Sequence, residues 1–340
     1  MRRRLIPAAI LLAAFAGLAG CGSRAANGGV PGSADVSAAP SAVDGSFAGD
    51  GTFAPDGTGG LAARAATSPS ARTATTTAPA SGGGKAPTQT FAVTSSQFTF
   101  TRAGRTLRTV VWYPKTAGRY PLVLWSHGLH GSPEGYSGVT QKIAAAGFVV
   151  AAPAYPFTND KANPFNQNDM VNQPADASAV ITEVLKLDGQ SGSPLAGRID
   201  TAHVGAAGHS AGGYTTAGLL SGSTRDSRLK GAVVVSGGSM GGRFSGAATP
   251  VLFIHGDADA TVPYSSGKSL FDNDPWPKGL LTLIGGDHGA ALWGTTAAAN
   301  AVSASMLDLF RYGLYGDSAA RARLRGDGTA SGAARYEGTL

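Results

Sequence analysis

The sequence predicts an α/β fold, a doubly wound and mostly parallel sheet forming a single domain without a large lid. Three observations point to it. Short apolar runs bounded by Gly or Pro alternate with longer segments that suit helices. Those runs are apolar throughout rather than at every second position, as strands buried on both faces of a parallel sheet are. The alternation is confined to residues 89–316, with stretches poor in aliphatic residues on either side.

Taken in order, residues 106–112 (TLRTVVW) read as a strand rich in β-branched residues. Further strands are expected at 122–126, 148–152, 203–207, 232–236, 251–254 and 280–284. The segments 134–146, 174–187, 211–221, 265–273 and 290–312 can supply the helices between them. Parallel strands joined this way need right-handed crossovers, and a site then lies beyond the carboxyl ends of the strands.

The flanks carry targeting information rather than chemistry. Met1-Arg2-Arg3-Arg4 followed by an apolar run at 5–18 reads as an export signal, too short to span a bilayer comfortably. The run ends in Leu18-Ala19-Gly20-Cys21, and Cys21 is the only cysteine. These small residues before a lone cysteine resemble a bacterial lipobox. The resemblance implies a signal peptide at 1–20 and a lipid on Cys21, anchoring an exported protein on the extracytoplasmic side of the membrane. An ordinary secretory signal with an incidental cysteine is the plainer alternative.

Residues 21–88 are rich in Ala, Gly, Ser, Thr and Pro and read as a disordered tether. Residues 317–340 read as a disordered tail for the same reason. Most of the net charge of +6 resides in these ends. Between 89 and 316 there are 16 Lys and Arg against 14 Asp and Glu, with no basic stripe, so nucleic acid is not an expected partner.

Directly after the strand at 203–207 comes Gly208-His209-Ser210-Ala211-Gly212. A strand before and a helix-capable stretch after are the setting in which G-x-S-x-G forms a nucleophile elbow. Gly208 and Gly212 remove side chains that would collide with neighbouring backbone, and the turn projects the Ser210 hydroxyl from a helix start. There the Ala211 amide can donate to a developing oxyanion. A serine hydroxyl needs a base, and the base needs an orienter. Downstream of Ser210 the histidines are His255 and His288, and the acids just past the strand at 251–254 are Asp257 and Asp259. Earlier, the strand at 122–126 runs into His127-Gly128-Leu129-His130-Gly131.

Together, residues 122–156 and 203–288 resemble bacterial serine esterases of the α/β-hydrolase superfamily. The resemblance extends to dienelactone-hydrolase-like, platelet-activating-factor-acetylhydrolase-like and cutinase- or PET-hydrolase-like enzymes. It implies a chain order of serine, acid, histidine. His255 precedes both acids of its loop and fails that order, so the base falls to His288 in Gly285-Gly286-Asp287-His288-Gly289. The loop His255-Gly256-Asp257-Ala258-Asp259-Ala260-Thr261-Val262-Pro263 is similar to the acid loop of these enzymes, whose later aspartate contacts the histidine; that position is Asp259. Asp257 is left to hold loop amides. The residue after the His-Gly pair supplies the second oxyanion amide, here Leu129. His127 and His130 form no complete metal-ligand set, His127 is expected to brace its loop, and His209 to pack or hydrogen-bond beside the serine.

The expected function is hydrolysis of a small-molecule or lipid-like carboxylic ester through an acyl-enzyme on Ser210, without metal or organic cofactor, in a monomer. Amide cleavage on the same fold is the alternative, and a non-catalytic binding lipoprotein a more distant one. Residues 236–250 are too short and Gly-rich for a helical lid. The loop at 153–176, with Tyr155, Phe157 and Phe165, is a candidate wall of the site, and Trp276 and Trp293 are expected to pack. The chain lacks the cysteine pair usual in polyester hydrolases, and Leu129 stands where an aromatic clamp would be, so synthetic polyester is not an expected substrate.

Overall fold

The computed structural model describes residues 84–340. The expected signal peptide at 1–20, Cys21 and most of the expected tether lie outside the described residues.

Among the described residues nine strands form one sheet in the order β1-β2-β4-β3-β5-β6-β7-β8-β9. These are β1 (Val93–Arg102), β2 (Arg105–Pro114), β3 (Tyr120–Ser126), β4 (Val149–Ala154), β5 (Ile199–His209), β6 (Leu229–Val235), β7 (Val251–Gly256), β8 (Lys278–Leu283) and β9 (Ala334–Gly338). The six strands from β4 to β8 in the sheet are parallel, and antiparallel pairs close it at both edges. It is the α/β-hydrolase fold.

Successive residues of the parallel strands feed opposite layers, as the two-residue period requires. Leu122, Leu124, Val251 and Phe253 join one core; Val123, Trp125, Leu252 and Ile254 join the other. The first core is covered by α2 (Gln173–Lys186), α3 (Ala211–Gly218) and α4 (Tyr264–Asn273) through residues such as Ile181, Ala217 and Phe271. The second is covered by α1 (Ser137–Ala145) and α5 (Ala297–Tyr315) through Ile143 and Phe310. No helix lies between β6 and β7, so no helical lid arises there. Among the described residues no helix is long and apolar enough to cross a membrane.

The tail at 317–340 is corrected by the structure: it folds. Asp317 caps α6 (Ser318–Thr329) by accepting from the Ala319 and Ala320 amides. Ala320, Leu324 and Gly328, four residues apart, form its buried stripe. β9 then pairs with β8, setting Tyr336 opposite Leu281. Three small or single apolar positions suffice because Ala and Arg supply the helix propensity, while the Gly- and Arg-rich composition hides the stripe.

The strand β1 is also additional. It is a Ser/Thr-rich edge joined to β2 through Ala103 and Gly104, both at positive φ (48° and 78°). That conformation suits a two-residue hairpin. Helix α5 begins at Ala297, later than the expected 290, because Thr296 caps it by accepting from the Ala299 amide.

Candidate active site

Strand β5 delivers Ser210 at a backbone conformation of φ 57°, ψ −121°. A non-glycine residue rarely sits there, and such strain persists only where the surroundings over-determine it. The restraints are visible: the Ser210 amide donates to Val235 O at 3.0 Å, and the Tyr214 amide to Ser210 O at 3.0 Å. A Cβ on Gly208 would strike the carbonyl of Gly212, and one on Gly212 the carbonyl of Ser126. Both glycines are therefore required by backbone approach, one within the elbow and one against the end of β3.

The Ser210 Oγ lies 2.8 Å from His288 Nε2. On the other side of the ring, His288 Nδ1 donates to Asp259 Oδ2 at 2.8 Å. The second carboxylate oxygen accepts from the Thr261 and Val262 amides, each at 2.9 Å. The Asp259 side chain is fully buried, which opposes ionisation. Hydrogen bonds from His288 and the two amides outweigh that burial and hold its carboxyl below the ordinary value. The structure thus brings Ser210, His288 and Asp259 into one hydrogen-bonded line, while His255 stays behind it.

The chain itself has relatives. The family model described as Chlorophyllase matches residues 76–248, just over half of the chain. The chain belongs to the chlorophyllase family. It is also 26% identical over 181 residues to Cutinase 1 of Thermobifida cellulosilytica, covering 52% of this chain and 64% of that protein. A cutinase of Thermobifida fusca (strain YX) matches at the same 26%, with 52% and 56% covered. The chain spans less than two thirds of the length of these curated relatives. The matched family segment contains the elbow and the loop after β3 and stops short of Asp259 and His288.

In this chlorophyllase-family chain the loop after β3 abuts the elbow directly. A Cβ on Gly128 would stand 3.2 Å from Ser210 Cβ. Leu129 follows it, and Ala211 opens α3, whose first-turn amides have no intrahelical acceptor and sit at the positive end of the helix dipole. His127 braces the loop as expected. Its Nε2 accepts from the Tyr155 amide at 3.1 Å, so Nδ1 carries the proton and donates to Gly128 O at 2.7 Å. Burial lowers the His127 pKa to about 4.

Tyr136, just ahead of α1, belongs to no motif, yet it joins the two halves of the site. His209 Nε2 faces the carbonyl of His288, an acceptor only, and must therefore donate. Its Nδ1 then accepts from the Tyr136 hydroxyl at 2.7 Å, and the Tyr136 oxygen accepts from the Gly128 amide at 3.2 Å. The chain of bonds runs from the loop after β3, through Tyr136 and His209, to the backbone of His288. This direction of the bonds requires a neutral His209, and burial lowers the His209 pKa to about 4. Burial likewise pushes the Tyr136 hydroxyl up to about 12.

Asp257 accepts from the Gly285 amide at 2.7 Å and pairs with Arg335 of β9 at 2.9 Å. It holds a loop amide, as expected, and ties the folded tail to the site. Asp287 accepts from the Gly289 amide at 3.1 Å. Of the 153–176 loop, Tyr155 is buried against Ser126, and Phe157 lies under Arg105. Phe165 stacks on His130 of the loop after β3 at 3.8 Å. Trp276 is buried against Phe244, but Trp293 is 41% exposed beside His209. Among the described residues no group of three or more His, Cys, Asp or Glu is placed to hold a metal ion.

Proposed function

We propose that this chain hydrolyses carboxylic esters by two-step acyl transfer. His288 takes the proton of Ser210 as its oxygen attacks the ester carbonyl, and the Leu129 and Ala211 amides receive the oxyanion. Asp259 keeps the imidazole proton on Nδ1 and stabilises the imidazolium. His288 then passes its proton to the departing alcohol, and water releases the acid from Ser210 by the same steps in reverse. The observation that carries this reading is the Ser210–His288–Asp259 line, 2.8 Å at each joint, on a strained elbow. The esterase names of the curated relatives favour an ester over an amide.

Hydrolysis of p-nitrophenyl acetate, butyrate and octanoate by the chain and by Ser210→Ala tests it. Turnover that falls at least about a thousandfold in the variant is expected. Turnover of amides but of no ester by a folded protein would move the reading to amide cleavage. We further propose that the protein is exported and held at the membrane by a lipid on Cys21. Cys21→Ala should then release it from the membrane fraction; an unchanged distribution would count against the anchor.

A further inference from the structure

A cavity of about 410 Å³ opens beside His288, lined by His209, His288, Gly289 and Trp293 and by Ala260 and Thr261 of the Asp259 loop. Its size suits a small organic group. One wall is an exposed tryptophan held in a fixed pose. The Trp293 ring meets His209 edge to face at 5.9 Å and 87°, and tilts on Tyr136 at 5.7 Å. Its Nε1 donates to Gly135 O at 3.4 Å. Gly289 lets the backbone of the His288 loop pack against both rings: a Cβ there would come 2.6 Å from His209 Nε2 and 3.3 Å from the Trp293 ring. An exposed ring fixed on two sides presents its remaining surface to a guest at little entropic cost.

Resting on the proposed ester hydrolysis, the chemistry says which half of an ester belongs there. His288 Nε2 must deliver its proton to the leaving oxygen, so the alcohol departs against the histidine loop and the acyl group lies away from it. We propose that this cavity is the alcohol-side subsite, with Trp293 as the residue that selects esters of bulky, apolar, ring-bearing alcohols. No charged group is needed on such an alcohol. Asp287, exposed at the rim, disfavours anionic ones.

The test uses the full chain and butyrate esters that differ only in the alcohol: ethyl, benzyl and 2-naphthylmethyl. For the wild type kcat/KM should rise along that series. Trp293→Ala should lower it at least about tenfold for the naphthylmethyl ester and less than about twofold for ethyl butyrate, with Trp293→Phe between. Ala260→Phe fills the cavity from the Asp259 loop with Trp293 in place, and should produce the same selective loss. Ethyl esters of acetate, butyrate and octanoate should keep their rank in all variants. Equal losses on all alcohols, or no loss, would overturn the assignment while leaving ester hydrolysis intact. Quenching of tryptophan fluorescence by 2-naphthylmethanol, abolished in Trp293→Ala, reads the subsite without turnover. Its absence in the wild type would overturn the assignment even if esters are cleaved, and its presence would support it even if they are not.

Discussion

Asp257 and Asp259 stand two residues apart in one loop and occupy opposite situations. Asp259 is fully buried on the inner side, its oxygens divided between His288 and two backbone amides. Asp257 lies on the outer rim, bonded to the Gly285 amide and to Arg335. The inner carboxylate has one arrangement open to it, and every neighbour depends on its charge. The outer one has water as an alternative partner. Position relative to solvent, rather than residue type or spacing, separates a group that sets a proton's location from one that fastens a loop.

The hardest break of that contrast is Asp259→Asn. The asparagine oxygen must face the Thr261 and Val262 amides, which only donate, so its NH2 takes the place of Oδ2. It then points at His288 Nδ1 and also at His255 Nε2, which already donates to Val262 O at 2.9 Å. His288 is pushed to the tautomer with its proton on Nε2, unable to accept from Ser210. A fall of about 10⁴-fold in kcat is expected, measured on p-nitrophenyl butyrate with the fold checked by circular dichroism. A loss of less than about tenfold would mean that Asp259 does not orient the base.

Acid should find the inner side next. Burial holds His127 and His209 neutral, with pKa values lowered to about 4, and lowers that of His255 as well. The unfolded chain binds protons on these rings from near pH 6.5, so between pH 6.5 and 4 it holds more protons than the folded state. Stability is therefore full above pH 6.5 and declines as pH falls toward 4, by roughly 3 kcal/mol for each of the two strongly shifted rings. Thermal melts across that range would show it. His127→Gln and His209→Gln should each flatten the decline, and a melting temperature flat from pH 7 to 4.5 would contradict the buried, neutral state.

Much of the inner side is legible in the amino-acid sequence itself. The elbow is written in Gly208, Ser210 and Gly212 because close backbone approach leaves no freedom at those positions. His288 follows from chain order, and Asp259 from the loop pattern around it. Tyr136 carries no such mark. It sits ahead of α1 in an ordinary stretch and acquires its partners only when the loop after β3 folds back on the elbow. Trp293 reads as a packing residue, yet it is partly exposed, and its pose beside His209 needs the close approach of Gly289, a fact about space and not about pattern. The tail misleads for the opposite reason: its composition suggests disorder, while one leucine flanked by Ala320 and Gly328 at the right period, with one strand edge, suffices to dock it.

Tyr136 offers a smaller perturbation of the inner side. Tyr136→Phe keeps the ring against Trp125 and Trp293 and removes only the hydroxyl. The Gly128 amide and His209 Nδ1 both lose their partner, a cost of about 1–3 kcal/mol for buried groups left unsatisfied. Because the affected backbone borders Leu129 and His288, the loss should fall on kcat, by about tenfold, with KM changed less than about twofold. An equal rise in KM would indicate disordered binding rather than misplaced donors.

The smallest effect belongs to the rim. Asp257→Asn keeps an acceptor for the Gly285 amide and forfeits the ion pair with Arg335, whose side chain is more than half exposed. Exposed pairs contribute about 0–1 kcal/mol, so kcat should change less than about threefold and the melting temperature by no more than a few degrees. Arg335→Ala should match it, since both changes cut the same bond. The double variant should then add nothing to either single one, because the second substitution acts on a partner already lost. A loss on Asp257→Asn that approaches that of Asp259→Asn would erase the distinction between the two carboxylates, and with it the inference that the buried one alone governs the histidine.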